Sequence, residues 1–111
     1  MRTSVKGRNV PVSDELRDRV DRKFAKIARQ VSSLAEMEVE LSEERNPAIR
    51  DSQVAEVTLH LKGVTLRARE ASEEMAHSIN LAAQDVARQV KRHRDKRRKR
   101  REAHHASPRV A

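Results

Sequence analysis

Apolar residues recur at intervals of three and four in two stretches of this chain and at intervals of two in three others. From Ser13 to Val31, the residues Leu16, Val20, Phe24, Ile27 and Val31 fall within about 80° of one another on a helical wheel. That spacing predicts an amphipathic helix. Ser13 is its N-cap, and Asp14 and Glu15 lie in the first turn, where they suit the helix dipole. A second helix is predicted from Ser72 to about Arg101. Met75, Ile79, Ala82, Ala83, Val86 and Val90 line one face, and Ser72, followed by Glu73 and Glu74, reads as its N-cap. The stripe stops at Val90. Beyond it the helix has no face to bury, so its first half should dock on a domain and its second half should project into solvent or onto a polyanion.

Strict alternation marks the strands. Glu36 to Leu41 alternates acid with Met37, Val39 and Leu41. Ala55, Val57, Leu59 and Leu61 alternate with Glu56, Thr58, His60 and Lys62. Val64, Leu66 and Ala68 alternate with Thr65, Arg67 and Arg69, and a tight connection at Lys62-Gly63 makes the last two a hairpin. Met1 to Arg8 reads as a first strand, ended by the turn Asn9-Val10-Pro11. The segment around Asn46-Pro47 reads as a loop. The order β-α-β-β-β-α is therefore predicted. It implies an α+β two-layer sandwich in which two helices pack on one face of a four-stranded sheet. After Glu102 no periodicity remains. The reading places an α+β domain with an extended basic last helix at residues 1–101 and a disordered tail at 102–111.

Charge sharpens this picture. The 111 residues carry a net charge of +8. Residues 1–87 hold 14 basic and 15 acidic side chains, whereas residues 88–111 hold 11 basic and 2 acidic ones. The excess is local: ten of the fourteen positions from Arg88 to Arg101 are Lys or Arg. A block of this density points to a polyanion such as nucleic acid. Arg19, Arg22, Lys23, Lys26 and Arg29 form a basic flank beside the stripe of the first helix. There is no cysteine, hence no disulfide framework. No apolar run is long enough to span a bilayer, and the N-terminus lacks a signal-peptide apolar region. A cytoplasmic protein is the default reading.

No catalytic constellation is visible. Gly7 and Gly63 are too far apart for a phosphate-cradling loop. His60 and His77 are single residues with no nucleophile or carboxylate pattern beside them. His104-His105 lacks a third metal ligand. The row Glu36, Glu38, Glu40 is a solvated strand face. The expectation is no enzyme, no metal, no cofactor, no small-molecule substrate and no membrane. Nucleic-acid binding has a physical basis in the basic flank and the basic helix end. Phe24 is the one aromatic residue and faces the core. Base stacking is therefore excluded as the main mode, and contact with backbone and shape is favoured.

Three motifs then carry a resemblance: Val5-Lys6-Gly7-Arg8-Asn9, Glu44-Arg45-Asn46-Pro47, and Ala71-Ser72-Glu73-Glu74-Met75 running into Ile79-Asn80 and Arg88-Gln89-Val90-Lys91. In this order, over about residues 2–97, the chain resembles the ribosome hibernation-promoting factors, also called ribosome-associated translation inhibitors. The resemblance implies binding to the small ribosomal subunit and its rRNA, in the channel for mRNA and the A- and P-site tRNAs, with inhibition of translation. It implies rRNA contacts at Arg22, Lys23, Lys26 and Arg29 of the first helix and at Arg88, Lys91, Arg92, Arg94, Lys96 and Arg97 of the second. Arg67 and Arg69 on the last strand are further candidates. Where members commonly have Asp-Met-Tyr, this chain has Glu74-Met75-Ala76. Long members carry a further C-terminal domain that pairs ribosomes; this sequence ends at Ala111 without it, so the expectation is a short-type factor or the N-terminal part of a longer one, which does not pair ribosomes alone. The implication is a chain that is monomeric off the ribosome. The alternatives are a general double-stranded RNA or DNA binder acting through its basic C-terminal helix, and a protein-interaction module.

Overall fold

The structure is a computed structural model that describes residues 1–105, with side chains through 103. It has strand β1 (Arg2–Gly7), helix α1 (Asp14–Gln30), strands β2 (Glu36–Glu43), β3 (Gln53–Leu61) and β4 (Val64–Ser72), and helix α2 (Met75–His105). The predicted order is observed. The four strands form one sheet in the order β1-β2-β3-β4. β2, β3 and β4 are an antiparallel meander, and Leu61 pairs Val64 across the Lys62-Gly63 connection. Gly63 there has φ of +80°, a region that glycine enters without steric penalty.

β1 lies parallel to β2, with Val5 opposite Val39. Parallel neighbours need a crossover, and α1 supplies it. The pairing continues beyond the strand through a side chain. Asn9 Nδ2 donates to the Glu43 carbonyl at 2.8 Å, and the Glu43 N–H donates to Asn9 Oδ1 at 2.7 Å. The turn between β1 and α1 is tight at Gly7, where a Cβ would collide with the Val10 carbonyl oxygen. Gly7→Ala should therefore lower stability by about 1–3 kcal/mol, the usual penalty for overpacking a closed site. The chain has no Trp or Tyr, so urea unfolding followed by far-ultraviolet circular dichroism is the measurement. An unchanged midpoint would show that the turn yields freely.

The core lies between the sheet and the two helices. Val20, Phe24 and Ile27 of α1 and Met75, Ile79, Ala82, Ala83, Val86 and Val90 of α2 are buried in one cluster with Met37, Val39, Leu41, Ala55, Val57 and Leu59. Both stripes read from the spacing are the ones that pack. At about 25 cal/mol per Å² of buried apolar area, each Val, Leu, Ile, Met or Phe among them contributes about 1.5–3 kcal/mol, and each alanine less.

The N-terminus of α2 differs from the expectation. Ser72 is the last residue of β4, and helical geometry begins at Met75. The first helical bond is from Ser78 N–H to the Glu74 carbonyl at 3.0 Å, so Glu74 occupies the cap position. The reason is a second use for the Ser72 hydroxyl. It accepts from Glu74 N–H at 3.3 Å and lies 2.7 Å from the hydroxyl of buried Ser78, which donates to the Gln53 carbonyl at 2.6 Å. Ser72 thus ties the end of the strand to the helix. At its other end α2 runs on through His105, past the domain boundary placed at residue 101. The remaining residues of the expected tail, 106–111, lie outside the described residues, as do the side chains of His104 and His105.

On the open face of the sheet, side chains from all four strands meet in rows. Arg2, Glu36 and His60 share one row; Glu38 and Arg67 another; Lys6, Glu40, Glu56 and Arg69 a third. Close pairs join them: Lys6 to Glu40 at 3.4 Å, Arg69 to Glu56 at 3.1 Å, and His60 to Glu38 at 3.7 Å. Arg8 also reaches Glu40, at 4.0 Å, so five cations meet four carboxylates and the face is close to neutral.

Candidate nucleic-acid interface

Most of the basic residues outside such pairs stand on the helices, on the other side of the molecule. The two helices lie side by side and run the same way. Arg19 of α1 shares a depression with Ala76 and Asn80 of α2, and Gln30 of α1 shares one with Val90 and Arg94. Helical spacing then assigns the flanks. Arg19, Lys23, Lys26 and Gln30 follow at intervals of four, three and four, so Lys23 and Lys26 lie on the flank of α1 turned to α2. On α2, Asn80, Ala87, Lys91, Arg94 and Arg98 fall on the flank turned to α1. Lys23, Lys26, Lys91 and Arg94 thus border one interhelical ridge, with Arg94 level with Gln30, and Lys26 and Lys23 one and two turns further back along it.

The other predicted residues surround this ridge. Arg22 and Arg29 lie on the solvent side of α1, and both are exposed. Arg88, Arg92 and Lys96 line a shallow depression on the outer side of α2 with Lys91 and Lys99. Arg97 faces beneath the projecting end of α2. Arg67 and Arg69 are not with them. They belong to the open face of the sheet, and Arg69 Nε donates to Glu56 Oε1. β4 meets α2 through its backbone instead: Gln89 Nε2 donates to the Arg67 carbonyl at 2.7 Å and covers part of the free sheet edge.

Electrostatically the helical cations are available. Among the described residues, Arg22, Lys23, Lys26, Arg29, Lys91, Arg92, Arg94, Lys96 and Arg97 have no carboxylate within ion-pair distance. Arg88 is 3.9 Å from Asp85, and Arg98 is held between Asp95 and Glu102. Cations kept apart from acids on a rigid support are what a polyanion requires: each phosphate contact releases a condensed counterion, and the forked guanidinium adds direction. Two members of this surface stand outside the expected rRNA contacts: Arg19, already on the basic flank of the first helix, and Arg98. Their signal was the continuation of the same spacing, Arg19 one turn before Lys23 and Arg98 one turn after Arg94. No group of three or more potential metal ligands exists among the described residues, and none of their helices is long and apolar enough to cross a membrane.

A family model described as "Sigma 54 modulation protein / S30EA ribosomal protein" matches residues 3–98. The chain belongs to this family. The match spans all four strands but for Arg2, the packed helices and about half of the projecting end of α2. Among curated relatives, the "Ribosome hibernation promotion factor" of Picosynechococcus sp. is 33% identical over 97 residues, covering 86% of this chain and 50% of that protein. The "Ribosome hibernation promoting factor" of Salmonella typhimurium is 31% identical over 96 residues, covering 86% of this chain and 96% of that protein. This chain thus spans about half the length of the first relative and nearly all of the second. Among solved structures, the N-terminal domain of Thermus thermophilus Protein Y superposes with a TM-score of 0.69 at 28% identity, over 83% of this chain and 98% of that domain. A ribosomal subunit interface protein from Coxiella burnetii shares the fold, with a TM-score of 0.73 at 16% identity over 86% of this chain and 99% of that one.

Proposed function

We propose that this chain is a ribosome hibernation factor that binds the small ribosomal subunit and inhibits translation by occupying the channel of the mRNA and the A- and P-site tRNAs. The observation that carries the reading is the interhelical ridge of unpaired cations on a chain of this family. The names of the relatives supply the ribosome, and the ridge supplies a means of holding rRNA. Lys23, Lys26, Lys91 and Arg94 take the phosphate backbone along the ridge. Arg22, Arg29, Arg88, Arg92, Lys96 and Arg97 extend the contact around it. Arg67 and Arg69 contribute only where rRNA reaches around the β4 edge. No step is catalytic and no cofactor takes part. Binding is by charge and shape, since the one aromatic ring is buried. A protein working in this way acts in the cytoplasm, as a monomer until it meets the subunit.

The test is co-sedimentation with separated small and large subunits, with naked rRNA as a control. The expected result is pelleting with the small subunit that survives moderate salt. Equal pelleting with both subunits and with naked rRNA, lost as salt rises, would favour the other reading, a general duplex binder acting through the basic end of α2.

A further inference from the structure

Past Val90, α2 leaves the domain and overhangs the end of the sheet. An open groove of about 1020 Å³ lies beneath it. The floor, at the root of the overhang, is apolar. Val31, Ala35, Leu61 and Val90 line it, and Leu34 stands beside them 89% exposed. Only one other large apolar side chain among the described residues is classed as exposed, Ile49 on a separate loop at 43%. The roof is basic: His93, Arg94, Arg97, Arg98 and Arg101 look down from the overhang, and Lys62 faces them from the hairpin. The two acids at the groove are already engaged, Glu36 by Arg2 at 3.9 Å and Glu102 by Arg98 at 3.8 Å. Arg94, Arg97, Arg101 and Lys62 have no such partner among the described residues.

We infer that this groove receives an acidic protein segment with aliphatic residues clustered at one end. The aliphatic cluster covers Leu34 and the floor, and the acids follow the overhang. Each half of the groove excludes a simpler occupant. A nucleic acid matches the roof but offers nothing to an exposed leucine beside an apolar floor. A purely apolar ligand leaves the roof unmatched. The overhang, residues 91–105, is about 22 Å long, so a partner laid along it as a helix spans about four turns. The inference does not rest on the ribosome reading, and its defining residue, Leu34, lies off the interhelical ridge.

The experiment is fluorescence anisotropy on the full chain with labelled peptides of about 14 residues, one helix length for the overhang. One peptide has its leucines in the first turn and glutamates after them, a second reverses that order, and a third is all glutamate. A labelled RNA duplex is the fourth probe. One of the two leucine peptides should bind about 10-fold tighter than the all-glutamate peptide, the scale set by burying a leucine. Leu34→Ser should erase that advantage and leave the duplex affinity unchanged. The side chain is exposed, so the fold does not depend on it. Arg97→Ala with Arg101→Ala should weaken peptides and duplex alike. Equal binding of all three peptides, or no effect of Leu34→Ser, overturns the inference. So does a Leu34→Ser variant that loses RNA as strongly as peptide, since the groove would then belong to nucleic acid.

Discussion

Replacing Lys23, Lys26 and Arg29 together by Glu is expected to abolish co-sedimentation with the small ribosomal subunit while the fold stays in place. All three side chains are exposed and none holds an ion pair among the described residues, so few intramolecular contacts are lost. Arg29 sits in the last turn of α1, where a cation suits the helix dipole, and reversing it costs about 0.3–1 kcal/mol. Binding suffers far more. Three lost contacts of about 1 kcal/mol each amount to about 100-fold in affinity, before the repulsion of the new carboxylates is added. The slope of log affinity against log salt should also fall, by about 0.7–0.9 for each phosphate no longer neutralised. Binding measured across a salt series, with circular dichroism as the control for folding, reads both effects. Unchanged pelleting of the folded variant would remove α1 from the interface.

Phe24→Ala is expected to have the largest effect on stability. Phe24 is 2% exposed and lies in the cluster formed by Val20, Ile27, Met37, Val39 and Leu41. Truncating a buried phenylalanine costs about 3–5 kcal/mol, against a total of about 5–15 for a typical domain. No other aromatic ring is present to fill the void. The urea midpoint should fall by roughly 2 M for a small domain of ordinary slope. A loss below about 1 kcal/mol would mean that α1 settles onto the sheet without the ring. Binding should weaken only as far as the folded fraction falls, since α1 carries half of the ridge and presents it only when packed.

The two predictions draw on different kinds of legibility. Period and alternation specified both stripes and all three meander strands, because burial imposes them residue by residue. Phe24, Ile79, Val57 and Leu59 were recognisable as core from spacing alone. The partner of β1 was not, since nothing in Arg2–Gly7 encodes a parallel neighbour; the length of the α1 crossover does. Ser72 was misplaced because a serine before two glutamates reads as a cap whether it ends a strand or starts a helix. Its bond to Ser78 decides, and that bond is tertiary. For the site, the cations were plain in the sequence but their grouping was not. Lys26 and Arg94 border the same ridge only because the helices run parallel, and Arg67 and Arg69 fall on the opposite face because β4 alternates. The groove under the overhang needed the fold most, since its floor comes from Val31, Leu61 and Val90, which lie far apart in the chain.

The nearly balanced charges on the open sheet face bear on how the molecule reaches a target. With five cations against four carboxylates there, that face is nearly neutral, and the long-range field comes mostly from the helices and the overhang. A polyanion therefore exerts a torque before it makes any contact, over a distance of about 8 Å at physiological salt. Molecules arriving sheet first are turned, and those arriving helices first are drawn in. The nearly neutral face thus acts as a filter on collision orientation, so that ionic strength governs how fast the protein associates as well as how tightly it stays.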